Sequence, residues 1–266
     1  MKADFHLHTH FSGDCETPME KQVLAAIDAG IDILCFTDHL DQDYPHDCID
    51  FSLDIPAYRA GFEAMRDKYS DRIKLLFGVE FGLQPHLGEF YDALSKQYPF
   101  DFILGSTHVS SGIDPYFPEY WEGLTTRAAM ERFFCDTLAH LKTTGCYDSM
   151  GHLDDVIRYV PKEKEAYSMA DYTDQVDECL KYLISHGKAL EVNSGGYKAG
   201  LNAPHPSLDI LKRYRELGGE LLTMGSDSHF PQYVGFQFDL VMELLRSVGF
   251  RYFTVFEERV GRQIPL

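Results

Sequence analysis

Several common features are missing from this sequence of 266 residues, and each absence narrows its class. Apolar runs such as Ile33–Phe36 are far shorter than the roughly 20 residues that cross a bilayer, so no membrane-spanning helix is predicted. Residues 1–6 contain no apolar stretch of the kind that starts a secretory signal, so we expect none. The six cysteines include no CxxC pair, which argues against a disulfide framework or a four-cysteine zinc site and favours reduced thiols in the cytoplasm.

Positive charge is also scarce. The chain has 24 Lys and Arg against 42 Asp and Glu, a formal net charge of −18, which disfavours nucleic acid as the main partner.

Low-complexity segments, repeats of 20–50 residues and linker-like tracts are absent from the sequence. Because 44% of the residues are hydrophobic, there is enough apolar material for a large core, and we predict a single domain over residues 1–266.

Short β-rich runs alternate with longer helical patterns along the chain. The predicted strands are Ala3–Leu7, Ile31–Thr37, Ile73–Val79, Phe102–Ser106, Tyr147–Met150, Ala189–Val192 and Leu221–Met224. The predicted helices are Pro18–Asp28, Ile55–Tyr69, Thr126–Lys142, Asp171–His186 and Leu208–Leu217. This alternation is typical of βαβ units and a parallel sheet, and seven successive units favour a closed or nearly closed α/β barrel.

Six of the seven predicted strands end in side chains that bind metals well. In a parallel barrel the carboxyl ends of the strands meet on one face, where active sites are found. Alternation along a strand directs His6 and His8 to the same side, and the same holds for Asp227 and His229. The residues at these ends are His6, His8, His39, Glu80, His108, His152, Asp227 and His229. A single histidine is more often structural, but a set sorted to one face predicts a metal centre.

In chain order these residues form motifs that resemble a known superfamily. The motifs are His6-x-His8, Thr37-Asp38-His39, Glu80, Gly105-Ser106-x-His108, Gly151-His152 and Asp227-x-His229. As an ordered set over essentially the whole chain, they resemble those of the polymerase and histidinol phosphatase (PHP) superfamily. The chain length and the segments 151–154 and 191–193 look most like the L-histidinol-phosphate phosphatases of that group. The resemblance implies a distorted (β/α)7 barrel with three divalent ions, which would be Zn, Fe or Mn.

The resemblance also implies how the ions would be held. One ion would take His6, His8, Glu80 and Asp227, a second would share Glu80 and add His108 and His152, and the third would take Asp14, His39 and His229. Asp14 stands where many members of the superfamily have a histidine. Glu80 is the natural bridge between two ions, because a carboxylate has two oxygens whereas an imidazole has one free donor nitrogen.

Such a centre would explain how an acidic protein acts on a phosphate. Three divalent ions and three carboxylates leave a local charge of about +3, which outweighs a screened and distant surface charge. Paired ions also lower the pKa of a shared water and stabilise displacement at phosphorus. We therefore expect metal-activated water to hydrolyse L-histidinol phosphate, a small phosphate ester, with Glu80 and Asp227 among the catalytic residues.

Candidate substrate contacts lie near the same face. Arg158 follows the fifth strand, and its guanidinium matches two phosphate oxygens; a surface pair with Asp154 or Asp155 is the alternative. Lys198 is a second candidate, although its loop is less basic than the resemblance leads us to expect. His10 is either an orienting residue or a substrate contact. The acidic and aromatic candidates for the cationic histidinol part are Asp41, Asp43, Tyr44 and Tyr116.

Two other functions stay open. The same centre serves DNA and nucleotide substrates elsewhere in the superfamily, so a nucleotide phosphatase, phosphodiesterase or nuclease is the alternative enzyme. The net charge counts against long DNA but not against a small nucleotide. The third possibility is a domain without catalytic activity in which the metals are structural. The nine candidate ligands argue against it, because a structural role needs only one closed site.

Overall fold

Eight parallel strands form the central sheet in the part of the chain that the structure describes, and seven of them follow one path around it. A computed structural model describes residues 1–162, 168–169 and 172–266. The strands follow the order β1-β2-β4-β5-β6-β7-β8, and the short strand β3 also pairs with β4. They are β1 (Ala3–Asp4), β2 (Ile33–Phe36), β3 (His39–Leu40), β4 (Lys74–Gly82), β5 (Phe102–Ser106), β6 (Ser149–Met150), β7 (Ala189–Asn193) and β8 (Leu222–Gly225).

The first and last strands of this sheet meet and close the barrel. The amide of Phe5 donates to the carbonyl of Met224 at 2.9 Å, and the amide of Asp227 donates to the carbonyl of His6 at 2.7 Å. One step further along, Leu7 and Ser228 form an isolated parallel bridge. Because β1 and β6 contribute only two residues each, the wall of the barrel is uneven. The prediction of a distorted (β/α)7 barrel is confirmed.

Helices pack around the barrel between the strands. They are α1 (Met19–Asp28), α2 (Ile55–Tyr69), α3 (Gly88–Gln97), α4 (Thr126–Thr143), α5 (Thr173–Ser185), α6 (Gly195–Lys198), α7 (Leu208–Glu216) and α8 (Phe238–Val248). Asp54 caps α2 by accepting from the amide of Ala57 at 3.0 Å. The predicted start of α5 at Asp171 lies outside the described residues. Among the described residues, the helices are all too short or too polar to cross a membrane.

Aromatic side chains fill the lower part of the barrel. Phe5 follows β1 and Phe102 begins β5, three strands away in the sheet, and their rings meet edge to face with centroids 5.1 Å apart. Phe256 lies 5.4 Å from Phe102, and these three side chains are buried. Such pairs add about 0.5–1.5 kcal/mol to the stabilisation that comes from burial. The interior of the barrel is therefore apolar and well packed towards the amino ends of the strands. Polar groups are left to the carboxyl ends.

A hairpin that was not predicted covers the amino end of the barrel. It consists of β9 (Tyr252–Glu257) and β10 (Val260–Pro265). At its turn, the amide of Arg259 donates to the carbonyl of Asp101 at 2.9 Å, and its guanidinium pairs with the carboxylate of Asp148. Asp101 and Asp148 immediately precede β5 and β6, so the hairpin is fixed to the end of the barrel opposite the predicted metal centre.

We expect Arg259→Ala to destabilise the fold without changing the site. The substitution removes a charged hydrogen-bond partner from Asp148, whose carboxylate is buried, and such losses cost about 1.5–3 kcal/mol. Urea denaturation should show this drop in the free energy of unfolding, with kcat/KM unchanged. Arg262→Ala, on the exposed strand of the same hairpin, is the control and should stay within about 0.5 kcal/mol of the parent. Equal losses in the two variants would contradict this account of the hairpin.

Candidate metal centre

Glu80 lies at the centre of the polar cluster above the barrel, and it is completely buried. Its Oε2 lies 3.1 Å from both His6 Nε2 and His39 Nδ1. Its Oε1 lies 3.2 Å from both His108 Nε2 and His152 Nε2. The two oxygens of one carboxylate therefore face two different groups of imidazoles, which is the arrangement that a bridging ligand needs.

A second carboxylate, Asp227, approaches the first of these groups from the last strand. Its Oδ1 lies 3.3 Å from His8 Nε2, 3.7 Å from His6 Nε2 and 3.6 Å from His229 Nδ1. The backbone of Asp227 has φ of 51°, in the left-handed region that residues other than glycine seldom adopt. Its amide is held by the carbonyl of His6 across the closure of the barrel. The same hydrogen bonds that close the barrel thus fix this carboxylate over His6 and His8.

The remaining predicted residues form the outer edge of the cluster. Asp14 Oδ2 lies 3.0 Å from His229 Nε2 and 3.7 Å from His39 Nε2. The ring of His8 lies between those of His39 and His229, with centroids 4.2 Å from each. The structure therefore brings together the eight candidate ligands that the strand ends selected and Asp14, which the family resemblance added.

The donor atoms of this cluster suit divalent transition metals. His6 Nε2 and His8 Nε2 face each other at 3.1 Å, and a shared cation would satisfy both as electron-pair donors. His39 Nδ1 is buried and has no hydrogen-bond partner among the described residues. Sets of three donor atoms within 4.8 Å of one another include His6–His8–Glu80, Glu80–His108–His152 and His8–His39–His229. Mixed imidazole and carboxylate donors suit Zn, Fe and Mn, so the residues fit the metals that were predicted.

Electrostatics favour carboxylates in their charged form here. Burial alone would raise the pKa of Glu80, but the charges of His6, His39 and His108 hold it well below its usual range. Burial would lower the pKa of His6, yet Glu191 and Glu80 raise it well above that of a free imidazole. Since a metal binds imidazole in its neutral form, metal binding must displace protons from such histidines and becomes weaker as the pH falls.

Two carboxylates behind the cluster orient its histidines. Glu191 Oε1 lies 2.7 Å from His6 Nδ1, while its Oε2 accepts from the amide of His152 at 2.7 Å. Asp41 Oδ2 lies 2.6 Å from His108 Nδ1. Sequence reasoning passed over Glu191 and assigned Asp41 to the substrate. Asp41 does line the cavity, and one of its oxygens also holds the ring of His108. The signal for Glu191 was a lone carboxylate inside an apolar strand.

A cavity of about 420 Å³ opens above the cluster. Arg158 and Lys198 both line it. Arg158 Nη1 pairs with Asp155 Oδ1 at 3.0 Å, so the residue is in the cavity and in the predicted surface pair at once. Lys198 Nζ donates to the backbone carbonyl of Asp227 at 2.9 Å. The cavity is large enough for a small ester and falls within the usual range of ligand sites.

Three of the other predicted substrate contacts, His10, Asp43 and Tyr116, do not line this cavity. His10 is exposed and its ring lies 4.3 Å from that of Phe11. Asp43 is exposed and pairs with His86 at 3.1 Å. Tyr116 is 65% exposed, whereas Tyr44 does line the cavity.

Comparison with known proteins agrees with this architecture. The family described as "PHP domain" matches residues 4–195, which is more than half of the chain. The chain belongs to the PHP domain family. A "Histidinol-phosphatase" of Lactococcus lactis is 30% identical over 256 residues, covering 96% of this chain and 94% of that protein. A Clostridium acetobutylicum protein named "Probable histidinol-phosphatase" is 30% identical over 263 residues and covers 98% of both.

A solved structure that is 30% identical to this chain has the same fold over nearly all of it. It is the crystal structure of histidinol phosphate phosphatase from Lactococcus lactis complexed with zinc, L-histidinol and phosphate. Its TM-score is 0.91 at 30% identity, and the match covers 98% of each chain. This chain thus shares the fold of that protein over nearly its whole length.

We expect Glu191→Gln to weaken metal binding while leaving the fold intact. The amide replaces one carboxylate oxygen by an NH2 group, which cannot accept from both the amide of His152 and the ring of His6. Removing such a support for a metal-binding histidine costs about 10- to 100-fold in metal affinity or activity. Metal titration with a competing chelator measures the loss. Glu89→Gln, an exposed position on α3, is the control, and equal affinities in the two variants would refute the role of Glu191.

Proposed function

We propose that this protein is a metal-dependent phosphomonoesterase that hydrolyses L-histidinol phosphate to L-histidinol and phosphate. The near full-length likeness to a solved enzyme that binds zinc, L-histidinol and phosphate carries the proposal. The polar cluster around Glu80 and the cavity above it supply the matching chemistry in this chain.

In this proposal the nine clustered residues hold three divalent ions. His6, His8, Glu80 and Asp227 would hold the first, Glu80, His108 and His152 the second, and Asp14, His39 and His229 the third. The short distances from the two Glu80 oxygens to separate pairs of imidazoles support the bridging role. When bound, such ions supply positive charge for the phosphate and lower the pKa of water toward neutrality.

The side chains of the cavity would position the phosphate. Arg158 has five N–H donors in a fixed fork, and the contact with Asp155 involves Nη1, so the other nitrogens remain for phosphate oxygens. Lys198 adds a second cation whose ammonium has three donors, with one given to the carbonyl of Asp227. Asp155 and the Asp227 carbonyl therefore hold both cations toward the cavity before a substrate arrives.

A small substrate fits the chain better than a nucleic acid. The formal net charge of −18 repels a long polyanion, whereas a cavity of about 420 Å³ suits a compact ester. We also place the protein in the cytoplasm, because its six cysteines are free and spread along the chain.

Substrate preference tests the proposal directly. Metal-reconstituted enzyme should hydrolyse L-histidinol phosphate with a kcat/KM at least tenfold above that for nucleoside monophosphates and aryl phosphates, a difference of about 1.4 kcal/mol. Chelated enzyme should be inactive and should recover on addition of Zn, Mn or Fe. A nucleotide or a phosphodiester that wins by tenfold would overturn the substrate assignment. Activity that survives complete metal removal would overturn the metal dependence.

Replacement of the guanidinium tests the phosphate contact separately. Arg158→Ala should keep its metal content and lose about 10- to 100-fold in kcat/KM, because one charged hydrogen bond contributes about 1.5–3 kcal/mol. Elemental analysis alongside steady-state kinetics on L-histidinol phosphate makes the measurement. Arg215→Ala, which removes a guanidinium outside the cavity, is the control. A metal-replete Arg158→Ala enzyme with the parent's kcat/KM would remove Arg158 from the site.

A further inference from the structure

One carboxylate in the cavity wall differs from the others in its partners. Five aspartates line the cavity, namely Asp14, Asp41, Asp114, Asp155 and Asp227. Four of them have a histidine or arginine nitrogen close by: His229 for Asp14 at 3.0 Å, His108 for Asp41 at 2.6 Å, Arg158 for Asp155 at 3.0 Å and His8 for Asp227 at 3.3 Å. Asp114 forms no ion pair with any of the described residues.

Neutral groups hold the Asp114 side chain in place. The hydroxyl of Tyr44 donates to its Oδ2 at 2.7 Å, and the amide of Tyr116 donates to its Oδ1 at 2.7 Å. The nearby ring of His46 contacts the backbone of this residue, since its Nε2 accepts from the amide of Asp114 at 3.4 Å. A carboxylate has about four acceptor sites, so roughly two remain directed to other donors.

The negative charge of the Asp114 carboxylate therefore has no ion-pair partner among the described residues, although the residue is partly shielded from water. Asp114 is half-buried, and burial raises the pKa of its carboxyl because the charged form loses hydration. A cation brought in by a ligand would restore the lost stabilisation, since charge-assisted hydrogen bonds are roughly twice as strong as neutral ones. The chain brings a histidine or arginine nitrogen to each of the other four aspartates of the cavity, but none of the described residues brings one to the carboxylate of Asp114.

The surroundings of Asp114 also suit a flat, unsaturated group. Tyr44 packs edge to face against Phe51 with centroids 4.8 Å apart, and both rings line the cavity. Tyr159 and Phe230 add further aromatic surface to the lining. Aromatic faces attract cations and stack on imidazole rings. The pocket beside Asp114 thus combines an unpaired carboxylate with aromatic walls.

Resting on the proposed function, we propose that Asp114 and the hydroxyl of Tyr44 bind a cationic nitrogen in the alcohol part of the substrate. L-Histidinol phosphate carries two such groups, an ammonium and an imidazolium, and either one would complete the hydrogen bonding of Asp114. Asp114 is then the residue by which the site selects cationic phosphate esters over neutral ones of similar size.

A set of four esters compared on Asp114→Asn tests the inference. The esters are L-histidinol phosphate, imidazolylpropyl phosphate without the amine, alaninol phosphate without the imidazole, and propyl phosphate with neither. Asp114→Asn should lower kcat/KM for L-histidinol phosphate roughly 10- to 100-fold, chiefly through KM, and leave propyl phosphate within about twofold. If Asp114→Asn also lowers kcat/KM for imidazolylpropyl phosphate, the imidazolium is the bound group. If it lowers kcat/KM for alaninol phosphate, the ammonium is the bound group.

Controls separate this inference from folding effects and from the proposed function. Glu119→Gln, an exposed position in the same loop, should match the parent for all four esters. Tyr44→Phe keeps the charge of Asp114 and should give a smaller loss with the same preference for cationic esters. Equal losses for cationic and neutral esters, or no loss for any, would overturn the role of Asp114. If the parent enzyme fails to prefer L-histidinol phosphate, the proposed function fails, whereas the pair alaninol phosphate and propyl phosphate still tests Asp114.

Discussion

The structure depends on keeping one charged carboxylate, Glu80, out of contact with water. An isolated charge in such a place is very costly, so it persists only with partners on every side. The longest strand of the barrel, β4, carries it to the carboxyl end, where β3 places His39 directly opposite in register. On the other side, Ser106 at the end of β5 donates to Glu80 at 2.6 Å. The strands that surround Glu80 are thus the ones that bring its partners.

Glycines at the strand ends are the second requirement of this arrangement. A Cβ on Gly225 would lie 2.2 Å from Glu191 Oε1, and one on Gly151 would lie 2.3 Å from Ser106 Oγ. A Cβ on Gly82 would lie 2.3 Å from the carboxyl carbon of Asp41. At three strand ends, therefore, a glycine makes room for a side chain that supports Glu80 or one of its histidines. The supports are packed against bare backbone, which fixes their positions better than side-chain contacts alone would.

The sequence predicts the parts of the fold that repeat and the residues that strand ends bring together. Eight of the nine clustered residues were found because parallel strands collect their carboxyl ends on one face, whatever the lengths of the helices between them. Asp14 was found only through the family resemblance. The pairing of Glu191 with His6 was not found, because it joins positions 185 residues apart through the packing of the barrel interior. The helix α3 was missed since only Tyr91 of its residues is buried, which gives no apolar periodicity. The hairpin was missed because its turn has Glu258 and Arg259 at positive φ instead of the usual Asn-Gly pair.

The charge of the chain and the charge of the cavity act over different distances. A formal charge of −18 spread over the surface is screened within about 8–10 Å at ordinary salt concentrations, so it acts on large polyanions more than on a small molecule inside a cavity. Within the cavity, each aspartate except Asp114 already faces a histidine or arginine of the chain. Under the proposed function, an entering ester would therefore meet the local pattern of charges: metal-binding groups and Arg158 at its anionic end, and one unpaired carboxylate at a cationic end. An acidic surface is therefore compatible with the proposed phosphate site, because the first acts on polyanions outside the protein and the second on a small molecule inside the cavity.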